Sequence, residues 1–107
     1  ARNVEIFTFG TRLTRVTRLA GANFAPFLHP NARQIVFASN LHDPAGRSFA
    51  LYLVNVDGGG LERLAFGESF ASFPMFTHDG KRLVFCSNRG AAAPRDLDVF
   101  VADWDDR

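Results

Sequence analysis

Apolar and polar positions along this chain change over in short runs, with Gly, Pro, Asn and Asp set between them. No segment keeps apolar residues at i, i+3, i+4 and i+7 over three turns behind a cap, so the pattern predicts strands and no helix. Nine strands are expected, over 4–9, 12–18, 23–28, 33–39, 49–56, 61–66, 70–76, 81–87 and 97–104. The runs 33–39 (RQIVFAS) and 81–87 (KRLVFCS) read as strands covered on both faces. Pro26 and Pro74 fall inside the third and seventh strands. Proline cannot donate to a sheet ladder, so each is expected at an edge or a strand end. Asp57-Gly58-Gly59-Gly60 reads as a turn that needs positive φ, which glycine adopts cheaply.

The pattern repeats. FPMFTHDGKRLVFCSNR, from Phe73 to Arg89, has a looser copy in APFLHPNARQIVFASNL, from Ala25 to Leu41. Placing Pro74 on Pro26, an offset of 48 residues, puts Val84 on Val36, Phe85 on Phe37, Ser87 on Ser39 and Asn88 on Asn40. Arg63-Leu64 falls on Arg15-Val16 at the same offset, and Phe7, Tyr52 and Phe100 take one place in three related strands. An offset of this size belongs to the repeat architectures. With the proline-bearing strand labelled A, the strand types run C-D-A-B-C-D-A-B-C. Four antiparallel strands per repeat describe a β-propeller blade. The repeats lie at about 20–66 and 67–107, and 3–18 supplies strands C and D of another blade.

Composition narrows the class. Hydrophobic residues make up 47% of the 107 and charged residues 21%, which is globular and not disordered. Twelve phenylalanines favour sheet. A net charge of +1 gives no electrostatic reason to expect a nucleic-acid or membrane partner. No apolar run approaches the roughly 20 residues of a membrane helix. No signal peptide is visible. The single cysteine, Cys86, allows no internal disulfide. The chain starts at Ala1-Arg2-Asn3 without methionine, which suggests processing or excision from something longer.

The motifs resemble a known family. FPMFTHDGKRLVFCSNR is similar to the repeat of TolB-type propellers, whose usual form is P-x-W-S-P-D-G-K-R-I-x-F-x-S. LYLVNVDGGGLERLA resembles the strand–turn–strand that follows it, and LDVFVADW resembles the end of a last blade. Asn31-Ala32 departs from the usual Asp-Gly, Thr77-His78 from Ser-Pro, and Phe27 and Met75 lie near a usual tryptophan. The resemblance implies an all-β fold of about two blades in a ring of six. It also implies a binding or scaffolding role, a bacterial periplasmic or secreted setting, and an envelope protein as a possible partner. Similar propellers accompany a serine peptidase domain or form a lyase, and that enzyme context is the competing expectation.

Two blades cannot close a ring of the usual 4–8. Their outer faces, with Ile35 and Phe37 or Leu83 and Phe85, are expected to be bare apolar surface. Either three copies of the chain assemble to six blades, or the remaining blades belong to a longer protein. If the segment 12–18 completes the last blade of another copy, Arg12, Arg15 or Arg18 approaches Asp98 or Asp103. Val4 to Phe9 is then a surplus strand.

No catalytic, cofactor or metal site stands out. His29 and His78, in the two A–B turns, invite a metal, but a structural site needs about four converging ligands, so exposed turn residues are the plainer reading. His42 reads as a loop residue. No G-x-S-x-G nucleophile motif occurs. Ser39-Asn40 and Ser87-Asn88 recur at equal places, as residues closing strand ends do. Cys86 reads as a packed thiol. Arg12, Arg15 and Arg18 read as an outer strand, and the acidic tail as solvated. A partner surface, if present, is expected at His29, Asn40, His42, His78, Asn88 and Arg89, in the loops 40–48 and 88–95 and the two A–B turns.

Overall fold

The computed structural model describes residues 5–9, 13–64, 70–92 and 96–105. They form three antiparallel sheets, and no helix occurs among them. The first sheet pairs β1 (Phe7–Phe9) with β2 (Leu13–Arg15). The central sheet is β3 (Asn23–Leu28), β4 (Gln34–Ser39), β5 (Ala50–Asn55) and β6 (Glu62–Leu64), in that spatial order. The last sheet is β7 (Ala71–Phe76), β8 (Arg82–Ser87) and β9 (Asp98–Asp103). All nine expected strands are present, each within the expected range or at its bounds.

The two prolines sit where their chemistry allows. β3 and β7 are edge strands, and each breaks register beside its proline, between Phe24 and Phe27 and between Ser72 and Met75. The extra residue of each bulge, Ala25 and Phe73, takes a left-handed backbone at φ 53 and 54°. An edge bulge leaves the missing proline N–H without a ladder position to fill.

Two hydrophobic layers hold the sheets together. Val36, Ala38, Leu51, Leu53 and Leu64 on one face of the central sheet pack against Ala71, Phe76, Leu83 and Phe85 of the last sheet. On its other face Ile35, Phe37, Ala50, Tyr52 and Val54 pack against Ile6 and Val16. β4 is buried at every position, as its continuous apolar run requires. Each fully buried Leu or Phe contributes roughly 1.5–3 kcal/mol.

Three expectations are corrected here. Ile35, Phe37, Leu83 and Phe85 are all buried, because each faces a neighbouring sheet and not solvent. β8 alternates between exposed or half-buried and buried positions, because only one of its faces is covered. The bare apolar face lies on the far side of the last sheet. Met75, Val99 and Val101 are exposed there, beside half-buried Val84 and Cys86. The thiol of Cys86 is therefore half-buried on an open face, not sealed in a core.

Candidate functional site: two ends of the sheets and an open blade face

Antiparallel strands divide the expected surface residues between opposite ends. The turns 29–33 and 77–81 and the turn 56–61 lie at one end. The loop 40–49 and residues 88–92 lie at the other, so His29 and His78 do not join Asn40, His42, Asn88 and Arg89 in one surface.

His29 is buried, at 5% exposure. Its Nδ1 accepts from the Asn31 N–H at 3.0 Å, and its Nε2 lies 3.0 Å from the Gly80 carbonyl oxygen. A backbone N–H only donates and a carbonyl only accepts, so these partners fix the Nε2–H tautomer. The ring also meets Phe76 edge-on at a centroid distance of 4.5 Å. His29 is thus a tie between the central and last sheets, where an exposed turn residue was expected. The turn leans on the next sheet, and the Phe76 and Trp104 rings close over it. His78 is exposed.

The two turns share one design with different side chains. Asn31 Oδ1 accepts from Arg33 N at 2.8 Å, and Asp79 Oδ1 accepts from Lys81 N at 3.0 Å. Thr77 stands at the place of His29 and donates its hydroxyl to Asp79 at 2.6 Å. That bond and the Lys81 N–H hold the Asp79 carboxyl below its ordinary range. Ala32 stands where Gly80 does, and both take positive φ, 62 and 70°. Beside the first turn lies an open groove of about 360 Å³ lined by Asn31, Arg33, Gln34, Asn55, Val56 and Asp57.

At the opposite end the asparagines close loops. Asn40 is buried, accepts from Ala22 N at 2.8 Å and donates to the Pro44 and Gly46 carbonyls. Asn88 accepts from Phe70 N at 3.2 Å in the equivalent place. Ser39 and Ser87 accept from Leu41 N and Arg89 N, both at 3.0 Å. Asn40 is therefore a structural clasp and not a surface residue, because its amide replaces backbone partners that the loop lacks. Arg89 and His42 are exposed.

His42 lies on Tyr52, with Nδ1 3.2 Å from the phenol oxygen. Burial lowers the His42 pKa, the Arg63 charge adds to this, and Asp43 opposes it. Burial raises the Tyr52 pKa while Arg63 and the His42 bond pull it down. Tyr52 in turn stacks on Phe37 at 5.9 Å. No group of three or more His, Cys, Asp or Glu side chains converges as metal ligands among the described residues.

Within the single chain, the charged residues expected to join copies are placed in different ways. Arg15 reaches Glu5 Oε1 at 3.2 Å and the Thr17 carbonyl at 2.8 Å. Glu5 also accepts from Leu19 N at 2.7 Å, from Asn23 Nδ2 and from the Thr17 hydroxyl. Asp103 lies 3.8 Å from Arg82, and Arg18 and Asp98 are exposed. Arg12 lies outside the described residues. Sequence reasoning missed Glu5, whose side chain is 8% exposed, since no motif marks a lone carboxylate near a strand start. Within the chain, β1 pairs with β2, and Ile6 just before it joins the core.

No family sequence model matches the chain. Solved structures do. A protein assigned as TolB from Agrobacterium tumefaciens superposes with a TM-score of 0.72 at 30% identity, over 91% of this chain and 35% of that one. TolB from Acinetobacter baumannii gives 0.68 at 23% identity, over 86% of this chain and 21% of that one. The chain thus spans about a third or less of the length of the structures it matches. With a four-stranded blade between sheets of two and three strands among the described residues, the chain is a TolB-like β-propeller segment.

Proposed function

We propose that this segment belongs to a non-catalytic propeller that works by binding other polypeptides, in the periplasmic setting that its TolB resemblance suggests. One observation carries the reading: the open face of the last blade. Val84, Cys86, Val99 and Val101 stand 48 residues after Val36, Ala38, Leu51 and Leu53. Those four residues of the central blade are buried against the next blade. The open face therefore has the composition of a blade–blade interface, and an exposed apolar patch of this kind marks an interaction site. Its occupant in this reading is a further blade, from another copy of the chain or from a longer protein. Three copies would supply the blades of a six-membered ring.

Light scattering on a sizing column tests the self-assembly arm. A mass near three chains is the expected result. A single-chain mass at all concentrations, with a folded far-ultraviolet spectrum, would sink assembly between copies. The binding partner would then be the blades of a longer protein.

A further inference from the structure

Three side chains of the central blade meet at the end of the sheet that carries the loop 40–49. Tyr52 stands directly across the β5–β6 ladder from Arg63, so both side chains leave one face of the sheet. His42 comes over from the loop and lies on the phenol ring, with Nδ1 3.2 Å from its oxygen. Tyr52 is buried, whereas His42 and Arg63 open to solvent. Packing does not require this chemistry. In the last blade Phe100 takes the place of Tyr52 and stacks on Phe85 at 5.8 Å, as Tyr52 stacks on Phe37 at 5.9 Å. Gly90 there takes the place of His42. The phenol oxygen and the imidazole are therefore additions that the central blade has and the last blade lacks.

The first sheet shows what group such an arginine takes. Arg15 faces Phe7 across β1 and β2 as Arg63 faces Tyr52 across β5 and β6. Arg15 holds the carboxylate of Glu5 at 3.2 Å. Glu5 stands two residues before Phe7, and the residue two before Tyr52 is Ala50. Among the described residues no carboxylate lies within ion-pair distance of Arg63. Burial and then the Arg63 charge hold the His42 pKa down, against the opposing charge of Asp43 in the same loop. We propose that His42, Tyr52 and Arg63 form a binding site for a carboxylate. The guanidinium takes it as Arg15 takes Glu5, the imidazolium donates through Nε2 because Nδ1 faces the phenol, and Tyr52 forms the floor. The bound charge offsets that of Arg63 at His42, so binding draws a proton onto the imidazole. A carboxylate ligand stays ionised above about pH 5, so affinity rises as pH falls from about 7.5 to about 6.

Acetate, as a free carboxylate, and a capped Ala-Glu-Ala tripeptide, as a polypeptide carboxylate, are the probes. Nuclear magnetic resonance shifts of the His42, Tyr52 and Arg63 side chains in the whole chain report binding. Saturation with a Kd of about 1 mM is expected, about tenfold weaker in Arg63→Gln and in His42→Gln. Both positions are exposed, so neither change threatens the fold. Arg33→Gln removes an equal charge from the opposite end of the blade and should leave binding unchanged. The parent should bind more tightly at about pH 6 than at about pH 7.5, and His42→Gln should lose that dependence. A tripeptide that binds more tightly than acetate assigns the site to a polypeptide, and equal binding assigns it to small free acids. The matching Ala-Gln-Ala tripeptide should not bind. The absence of shifts at the three residues would overturn the proposal, as would equal weakening by Arg33→Gln and Arg63→Gln. An affinity that ignores pH would overturn the part given to His42.

Discussion

The imidazole of His29 reaches from the turn of the central blade to the backbone of Gly80 in the next, Nε2 to carbonyl oxygen 3.0 Å. The same ring leaves no room for a side chain on Gly80. A Cβ on Gly80 would stand 2.7 Å from His29 Cε1 and 2.9 Å from Nε2, and Gly80 holds φ at +70°. Gly80→Ala should therefore destabilise by about 2–4 kcal/mol, from left-handed strain and the clash together. In a His29→Ala background the same change should cost only about 1–2 kcal/mol, because the clash is gone and the backbone strain remains. Urea unfolding of the four chains of this cycle measures the difference.

Ala32 tests the first turn by the opposite route. It occupies the place of Gly80 with φ at 62°, and it is exposed, so nothing packs against its Cβ in compensation. Left-handed backbone costs an L-residue about 1–2 kcal/mol, and glycine adds back roughly 0.5–1 kcal/mol of lost chain entropy. Ala32→Gly should raise stability by about 0.5–1 kcal/mol, seen as a higher urea midpoint with an unchanged slope.

Most of the fold could be read from the chain because strand period, proline placement and the 48-residue repeat all pointed one way. Pro26 and Pro74 marked edge strands, and β4 announced its burial by its unbroken apolar run. What could not be read was which faces the neighbouring sheets cover. Leu83 and Val84 are equally apolar, yet one is buried and the other half-exposed, since burial depends on where the next sheet lies. The site residues were harder for the same reason. Asn40 and Asn88 gave a repeat signal that pointed to a structural task. His29 gave none, because its repeat partner is Thr77, and its tie to Gly80 spans 51 residues of sequence.

Glu5 holds the first partial blade to the central one through Arg15, Thr17, Leu19 and Asn23, with its side chain only 8% exposed. Glu5→Ala leaves the Leu19 N–H and the Asn23 amide without this acceptor. A loss of about 1–3 kcal/mol is expected. It should be local. Hydrogen exchange at Ile6 and Val16, whose amides bond to Thr17 and Ile6, should quicken while β4 and β5 stay protected.

His42 is expected to make one contribution to stability depend on pH. Its pKa lies below the ordinary 6.5 in the folded chain through burial first and the Arg63 charge second. The unfolded chain therefore binds the proton more readily, and its contribution to stability is fully present above pH about 6.5 and is lost as pH falls through the folded value. The urea midpoint should fall between about pH 7.5 and pH 5.5, and His42→Gln should flatten that part of the profile. An unchanged slope in the variant would place the pH response elsewhere.

Val99 and Val101 separate binding from folding. They are 69% and 60% exposed on the open face, so the chain gains little from them when alone. Polar substitution at exposed positions usually changes stability by less than about 0.5 kcal/mol. The pair Val99→Thr and Val101→Lys keeps β-compatible shapes along the strand while placing a charge where a second blade would have to bury it. Burying an unpaired ammonium in an apolar interface is costly enough to abolish packing. The double variant should unfold at nearly the parent urea concentration and elute as a single chain where the parent does not. Loss of stability in parallel with loss of assembly would instead mean that these valines pack within the chain itself.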